Sequence, residues 1–112
     1  MPRVTVIFDN NNYNLTLKQG FGFSCLIEFD QEKILFDLGG DKEIFLSNVQ
    51  KLGIDLTKIN KVILSHPHLD HLSALDSLNV LPAKTKVFLP AHFPEYLLSK
   101  IPKNLNQISP LT

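Results

Sequence analysis

The strongest constraint on the fold is the stretch "KILFDLGGDKEIFLSNVQKLGIDLTKINKVILSH", residues 33–66. It reads as strand, helix, strand. "KILFDL" is nearly continuously apolar, as expected of a strand buried on both faces. Asp41 then has the short polar side chain of a helix N-cap, and Glu43 puts negative charge in the first turn. Phe45, Val49 and Leu52 fall on one helical face, and Gly53 is placed to end the helix. "KVILSH" returns to an apolar, β-branched run. Two such strands joined by a helical crossover pair in parallel.

The flanking segments extend this plan. "RVTVIF" from Arg3 reads as a strand that ends at the polar loop "DNNNYN". "SCLIEF" and "KILFDL" are separated by the short polar turn "DQEK" and form a hairpin. After the second apolar strand, "LDHLSALDSL" reads as a helix, "TKVFLP" as a strand and "FPEYLLSKI" as a short helix beginning near Pro94. The tail "PKNLNQISPLT" has no clear period. The class is α/β, and residues 1–112 read as one structural unit, with no repeat and no evident linker.

Three of the four histidines fall in "SHPHLDH" at the end of a predicted strand. The pattern is H-x-H-x-D-H: His66, His68, Asp70 and His71. Imidazole nitrogen and carboxylate oxygen suit zinc, and also iron or manganese. In extended chain, residues two apart point the same way, so His66 and His68 can reach one ion together. Asp70 and His71 follow where the chain turns into a helix, so they face a neighbouring position. The spacing therefore suggests two ions side by side, a geometry that can hold hydroxide and clamp a substrate oxygen. Ligands of α/β sheets bind beyond the carboxyl ends of strands, where this segment lies. Asp37 also ends a strand and is placed to orient a ligating histidine from outside the ligand shell. The plainer alternatives are a turn residue for Asp37 and a dipole-complementing first-turn residue for Asp70. His92 suits a capping role ahead of Pro94 better than ligation. Asp9, directly after the first strand, belongs to a polar turn or lines a cleft.

On "ILFDLGG", "VILSHPHLDHLSAL" and the segment between them, the sequence resembles the metallo-β-lactamase superfamily, and within it the dihydropterin-methyl-ribofuranosylaminobenzene-phosphate synthase-like branch. The resemblance implies an αββα sandwich of mixed sheets, of which this chain supplies the N-terminal half as a single partial domain. It implies a hydrolase in which metal-activated water attacks an ester, phosphoester or amide-type bond. His66 and His68 would hold the first of two zinc ions. Asp70 and His71 would hold the second, with Asp70 also holding the nucleophilic water. Asp37 matches the structural aspartate beside the site. Pro67 and "LSAL" depart from the glycine-rich pattern of that branch. The family's remaining ligands come from a second half, and His92, Asp76 and Glu95 are the only candidates after "DHLSAL". The isolated chain is therefore expected to be inactive unless a C-terminal half or a second copy completes it. The alternative is a non-catalytic module that binds metal weakly, or contacts another protein, through an uncovered sheet face.

Composition narrows the partners. Eleven basic and eleven acidic residues cancel, so charge provides no basis for nucleic-acid or anionic-membrane binding. A small-molecule substrate is the remaining expectation for a completed site. The lone Cys25 lies in an apolar run and reads as a buried thiol. With no signal-like segment at its start, the chain is expected to be cytoplasmic.

Overall fold

The computed structural model describes residues 2–10, 17–65, 74–91 and 93–108. Six strands form one sheet in the order β1-β2-β3-β4-β5-β6. They are β1 (Arg3–Phe8), β2 (Ser24–Phe29), β3 (Glu32–Phe36), β4 (Lys61–Ile63), β5 (Lys86–Phe88) and β6 (Asn106–Ile108). β1, β2 and β3 pair antiparallel, while β3 through β6 pair in parallel. The sheet is thus mixed, with the hairpin and the crossovers where the sequence puts them. The hairpin turn is tighter than "DQEK", because Phe29 pairs with Glu32 and only Asp30 and Gln31 lie between. Asp30 takes a positive φ of 52°, which its short polar side chain tolerates.

Each parallel connection steps one strand onward in the same direction. Right-handed crossovers that all step the same way put their connecting segments on one face of the sheet. Those segments are helix α1 (Lys42–Lys51), a 3-10 turn (Leu56–Lys58), a 3-10 segment (Leu75–Val80) and helix α2 (Glu95–Leu98). Their apolar residues Phe45, Val49, Leu75, Leu78 and Leu97, with Ile59 just after the 3-10 turn, join one buried cluster with Leu26, Leu35, Val62 and Val87. The last four are register partners across β2–β5 and so share a face. α1 begins at Asp41, whose carboxylate accepts from the Ile44 N–H at 3.1 Å, and Gly53 follows it at φ 69°. No helix among the described residues is long and apolar enough to cross a membrane.

The opposite face behaves differently. Val4 is 60% exposed, Val6 44% and Phe29 41%. In β3 only Leu35 is fully buried, so this strand is not enclosed on both faces as its apolar run suggested. Its alternate residues Ile34 and Phe36 lie on the side of Val4 and Val6 and are only half-buried. Cys25 shares that side and is nonetheless buried. Burial, and then the negative charge of Asp37, push its thiol pKa upward, which suppresses the reactive thiolate.

Two elements depart from the sequence reading. Within "LDHLSALDSL", the described part is a 3-10 segment rather than an α-helix. Its i, i+3 alignment stacks Leu75, Leu78 and the following Leu81 on the core, and all three are buried. The aperiodic tail contains β6, which pairs along β5 through Asn106, Gln107 and Ile108.

Candidate functional site

The carboxyl ends of β3 and β4 meet at Asp37. Its N–H donates to the Ile63 carbonyl at 2.9 Å, extending the β3–β4 pairing by one bond beyond the strand. Its backbone then turns at φ 53°, a left-handed conformation that aspartate adopts more readily than most residues. The turn directs the fully buried side chain at Ser65, which follows β4. One carboxylate oxygen accepts from the Ser65 N–H at 2.7 Å and the other from the Ser65 hydroxyl. The carbonyl of Asp37 in turn accepts from the Ser24 hydroxyl at 2.7 Å. On the other side of β4, the Leu64 N–H donates to the Phe88 carbonyl at 3.0 Å. The backbone just before the histidine segment is thus tied to both neighbouring strands.

His66, His68, Asp70 and His71 lie outside the described residues, as does His92. Among the described residues, no three His, Cys, Asp or Glu side chains are gathered so as to hold a metal ion. Asp37 is therefore the predicted site residue whose surroundings are visible, and it holds the residue next to His66. Glu95 is exposed at the start of α2. The Asp9 carboxylate turns back onto the Asn10 N–H at 2.7 Å, the arrangement of a polar turn.

A second layer braces this end of the sheet. By strict alternation Phe8 would share the exposed face with Val4 and Val6. A register shift between Val6 and Phe8 instead buries both Ile7 and Phe8. The Phe8 ring packs against Gly39 and Gly20 so closely that a Cβ on either glycine would fall inside contact distance. Asn48, fully buried on α1, donates to the carbonyls of Ile7 at 2.9 Å and Lys18 at 2.8 Å, and accepts from the Lys18 N–H at 2.9 Å. Sequence reading missed Ser65, Asn48 and Phe8. The signal for Asn48 is a polar residue on the same helical face as Phe45 and Val49.

A cavity of about 310 Å³ lies at the opposite end of the strands, lined in part by Arg3, Leu26, Glu28, Lys33, Ile54 and Lys58. Lys33 and Arg3 both pair with Glu28, at 2.9 and 3.3 Å, and hold its carboxyl below the usual range. That cavity is remote from Asp37 and Ser65, and its Glu28 carboxylate is already paired with two cations.

The family profile described as the metallo-beta-lactamase superfamily matches residues 17–88. The 7,8-dihydropterin-6-methyl-4-(beta-D-ribofuranosyl)-aminobenzene-5'-phosphate synthase of Methanocaldococcus jannaschii is 36% identical over 75 residues, covering 63% of this chain and 26% of that protein. Among solved structures, Tm1679, a metal-dependent hydrolase of the beta-lactamase superfamily, is similar at 25% identity and TM-score 0.72, covering 100% of this chain and 43% of that one. The metallo-beta-lactamase fold protein YhfI of Bacillus subtilis has the same fold at 20% identity and TM-score 0.70, covering 98% of this chain and 47% of that one. The chain thus spans about a quarter of the length of the curated relative and under half of these two structures.

Proposed function

This chain belongs to the metallo-beta-lactamase superfamily, whose members are generally metal-dependent hydrolases, and on that footing we propose that it contributes the first metal-binding segment of such a hydrolase. The observation that carries the proposal is the Asp37–Ser65 pair. A buried carboxylate is spent on fixing the one backbone position from which the H-x-H-x-D-H segment begins. The donor set fits the group: imidazole and carboxylate suit zinc, with iron or manganese as alternatives. His66 and His68 would hold one ion, and Asp70 and His71 a second. A bound metal of this kind supplies a water that ionises near neutral pH and a positive centre that polarises the scissile bond. Asp70 would accept a hydrogen bond from the attacking water, and Asp37 would keep the segment in register with β3. An ester, phosphoester or amide-type bond is the substrate class, and the similarity to the M. jannaschii synthase supports that branch of the superfamily. Each ion would have two ligands from this motif, where catalytic zinc commonly has three. The remaining ligands would come from a C-terminal half or from a second copy.

Elemental analysis of chain purified without chelator tests the site. We expect about two zinc ions per chain in the completed protein and near none in His66→Ala/His68→Ala. His92→Ala should leave the content unchanged. Equal losses in His68→Ala and His92→Ala would refute the ligand assignment.

The exposed row of Val4, Val6 and Phe29 favours a second reading, a module that acts through protein contacts on this face. Sedimentation with and without zinc, beside turnover of phosphodiester, lactam and thioester substrates, separates the two. Self-association with no turnover supports the module. Turnover that is lost with the metal supports the hydrolase.

A further inference from the structure

The cavity of about 310 Å³ at the end of the sheet opposite Asp37 is bounded by backbone that hydrogen bonds hold in place. One wall is the end of α1. The Gly53 N–H donates to the Gln50 carbonyl at 3.1 Å and the Ile54 N–H to the Val49 carbonyl at 3.0 Å, the paired bonds of a Schellman turn. The Asp55 carboxylate then accepts from the Thr57 N–H at 3.0 Å and from the Thr57 hydroxyl at 2.6 Å, which caps the 3-10 turn that carries Lys58. Lys33 is tied to the same segment. Its N–H donates to the Asn60 side-chain oxygen and its carbonyl accepts from the Asn60 N–H, both at 3.1 Å. The space is therefore preformed, which spares a ligand the cost of ordering it.

The lining divides by chemistry. Leu52 and Ile54 pack on the core with part of each side chain left uncovered. Three cations, Arg3, Lys33 and Lys58, line the same cavity with two carboxylates, Glu28 and Asp55, which leaves one net positive charge. Both carboxylates are engaged. Glu28 accepts from Lys33 through one oxygen and from Arg3 through the other, and Asp55 accepts from Thr57. The bonds to Glu28 use one of the three N–H groups of the Lys33 ammonium and two of the five of the Arg3 guanidinium. A gap left by imperfect packing is lined by apolar atoms. An ordinary surface ion pair has no preformed apolar wall beside it. Here the two occur together, the combination of apolar lining and a few convergent polar groups that marks a ligand site. We propose that this cavity binds a small amphipathic monoanion, a carboxylate whose short apolar body lies on Leu52 and Ile54 and whose charge is met by Arg3, Lys33 and Lys58. Ligand cavities begin at about 300 Å³, so the body is limited to a few carbons. The proposal uses no residue of the H-x-H-x-D-H segment and stands apart from the metal-binding reading.

The test titrates hexanoate, butyrate and 1-hexanol into the isotope-labelled chain. It follows the amide shifts of Gly53 and Ile54, with Ser65 as the remote reference. Hexanoate should saturate with a Kd on the order of a millimolar, the scale of a ligand with so few atoms. Each buried methylene is worth about a factor of four, so butyrate should bind roughly tenfold weaker. 1-Hexanol has the same body without the charge and should bind at least about threefold weaker. Lys58 is exposed, so its replacement leaves the fold intact. Lys58→Gln should weaken hexanoate roughly two- to fivefold and Lys58→Glu more, with 1-hexanol unaffected by either. The Ser65 amide should not move. Absence of a saturable shift at Gly53 and Ile54 up to roughly 30 mM hexanoate, well above the expected Kd, would overturn the proposal. So would equal binding of hexanoate and 1-hexanol, or a hexanoate affinity indifferent to Lys58→Glu. A shift at Ser65 in place of Gly53 would put the carboxylate at the metal-binding end of the sheet, and would overturn the proposal without touching the hydrolase reading.

Discussion

Gly39→Ala is expected to destabilise the chain by roughly 2–4 kcal/mol, with little recovery by relaxation. Two penalties add at this position. Gly39 has φ 77°, in the left-handed region where a Cβ costs about 1–2 kcal/mol. A Cβ there would also lie 2.4, 2.5 and 2.8 Å from three atoms of the Phe8 ring. Phe8 is buried and has no room to retreat, because a Cβ on Gly20 would already lie 2.9 Å from the far end of the same ring. Gly53→Ala is the internal control. It has a similar φ of 69° but nothing within 4 Å of the added atom, so only the backbone penalty applies. Thermal and urea unfolding of the two variants isolates the steric part. A loss of 1 kcal/mol corresponds to about 4–8 °C in a domain near this size, so Gly39→Ala should melt well below Gly53→Ala. Equal losses would show that Phe8 yields and that the Gly20–Phe8–Gly39 stack is not a rigid brace.

That stack also shows where sequence legibility ends. The strands of the hairpin and β4 were readable because β-branched and apolar residues dominate them, and α1 because its cap, its apolar face and its stop agree. The placement of Phe8 was not readable. Alternation along "RVTVIF" puts it outside, and only the pairing with β2 reveals the register shift that turns it in. β6 was missed for a related reason. Asn106 and Gln107 have no strand-like pattern of their own, and the segment is a strand because β5 offers it an open parallel edge. The 3-10 segment at Leu75 shares the three-residue leucine spacing of a plausible α-helix, so pattern alone does not separate them. At the candidate site, Asp37 was legible as an acid ending a strand. Ser65 was not, because its partner is 28 residues away and is brought to it only by the β3–β4 pairing.

Asp37→Ala is expected to cost about 3 kcal/mol of stability, since it removes two charge-assisted acceptors from the half-buried Ser65. The conservative change separates shape from charge. In Asp37→Asn the amide oxygen still accepts from the Ser65 N–H, and the amide N–H donates to the Ser65 hydroxyl, whose rotor turns to accept it. Asparagine also tolerates the φ of 53° at this position. Asp37→Asn should therefore lose about 1 kcal/mol, with most of the fold's stability retained. Ser65→Ala should lose a similar amount, and the Asp37→Ala/Ser65→Ala double variant should lose less than the sum of its parts, because the two residues share one interaction. Urea unfolding measures each of these. A cost for Asp37→Ala of under about 0.5 kcal/mol would place it among ordinary surface substitutions and refute the lock. Zinc content, measured on the same samples at a temperature where every variant is folded, links the lock to function. If Asp37 sets the backbone from which His66 and His68 depart, Asp37→Ala should bind zinc more weakly while Asp37→Asn stays close to the unmodified chain. Outer-shell partners of this kind typically change metal affinity 10–100-fold. An unchanged zinc affinity in Asp37→Ala, despite lost stability, would mean that the buried carboxylate serves the β3–β4 junction and not the metal-binding segment that follows it.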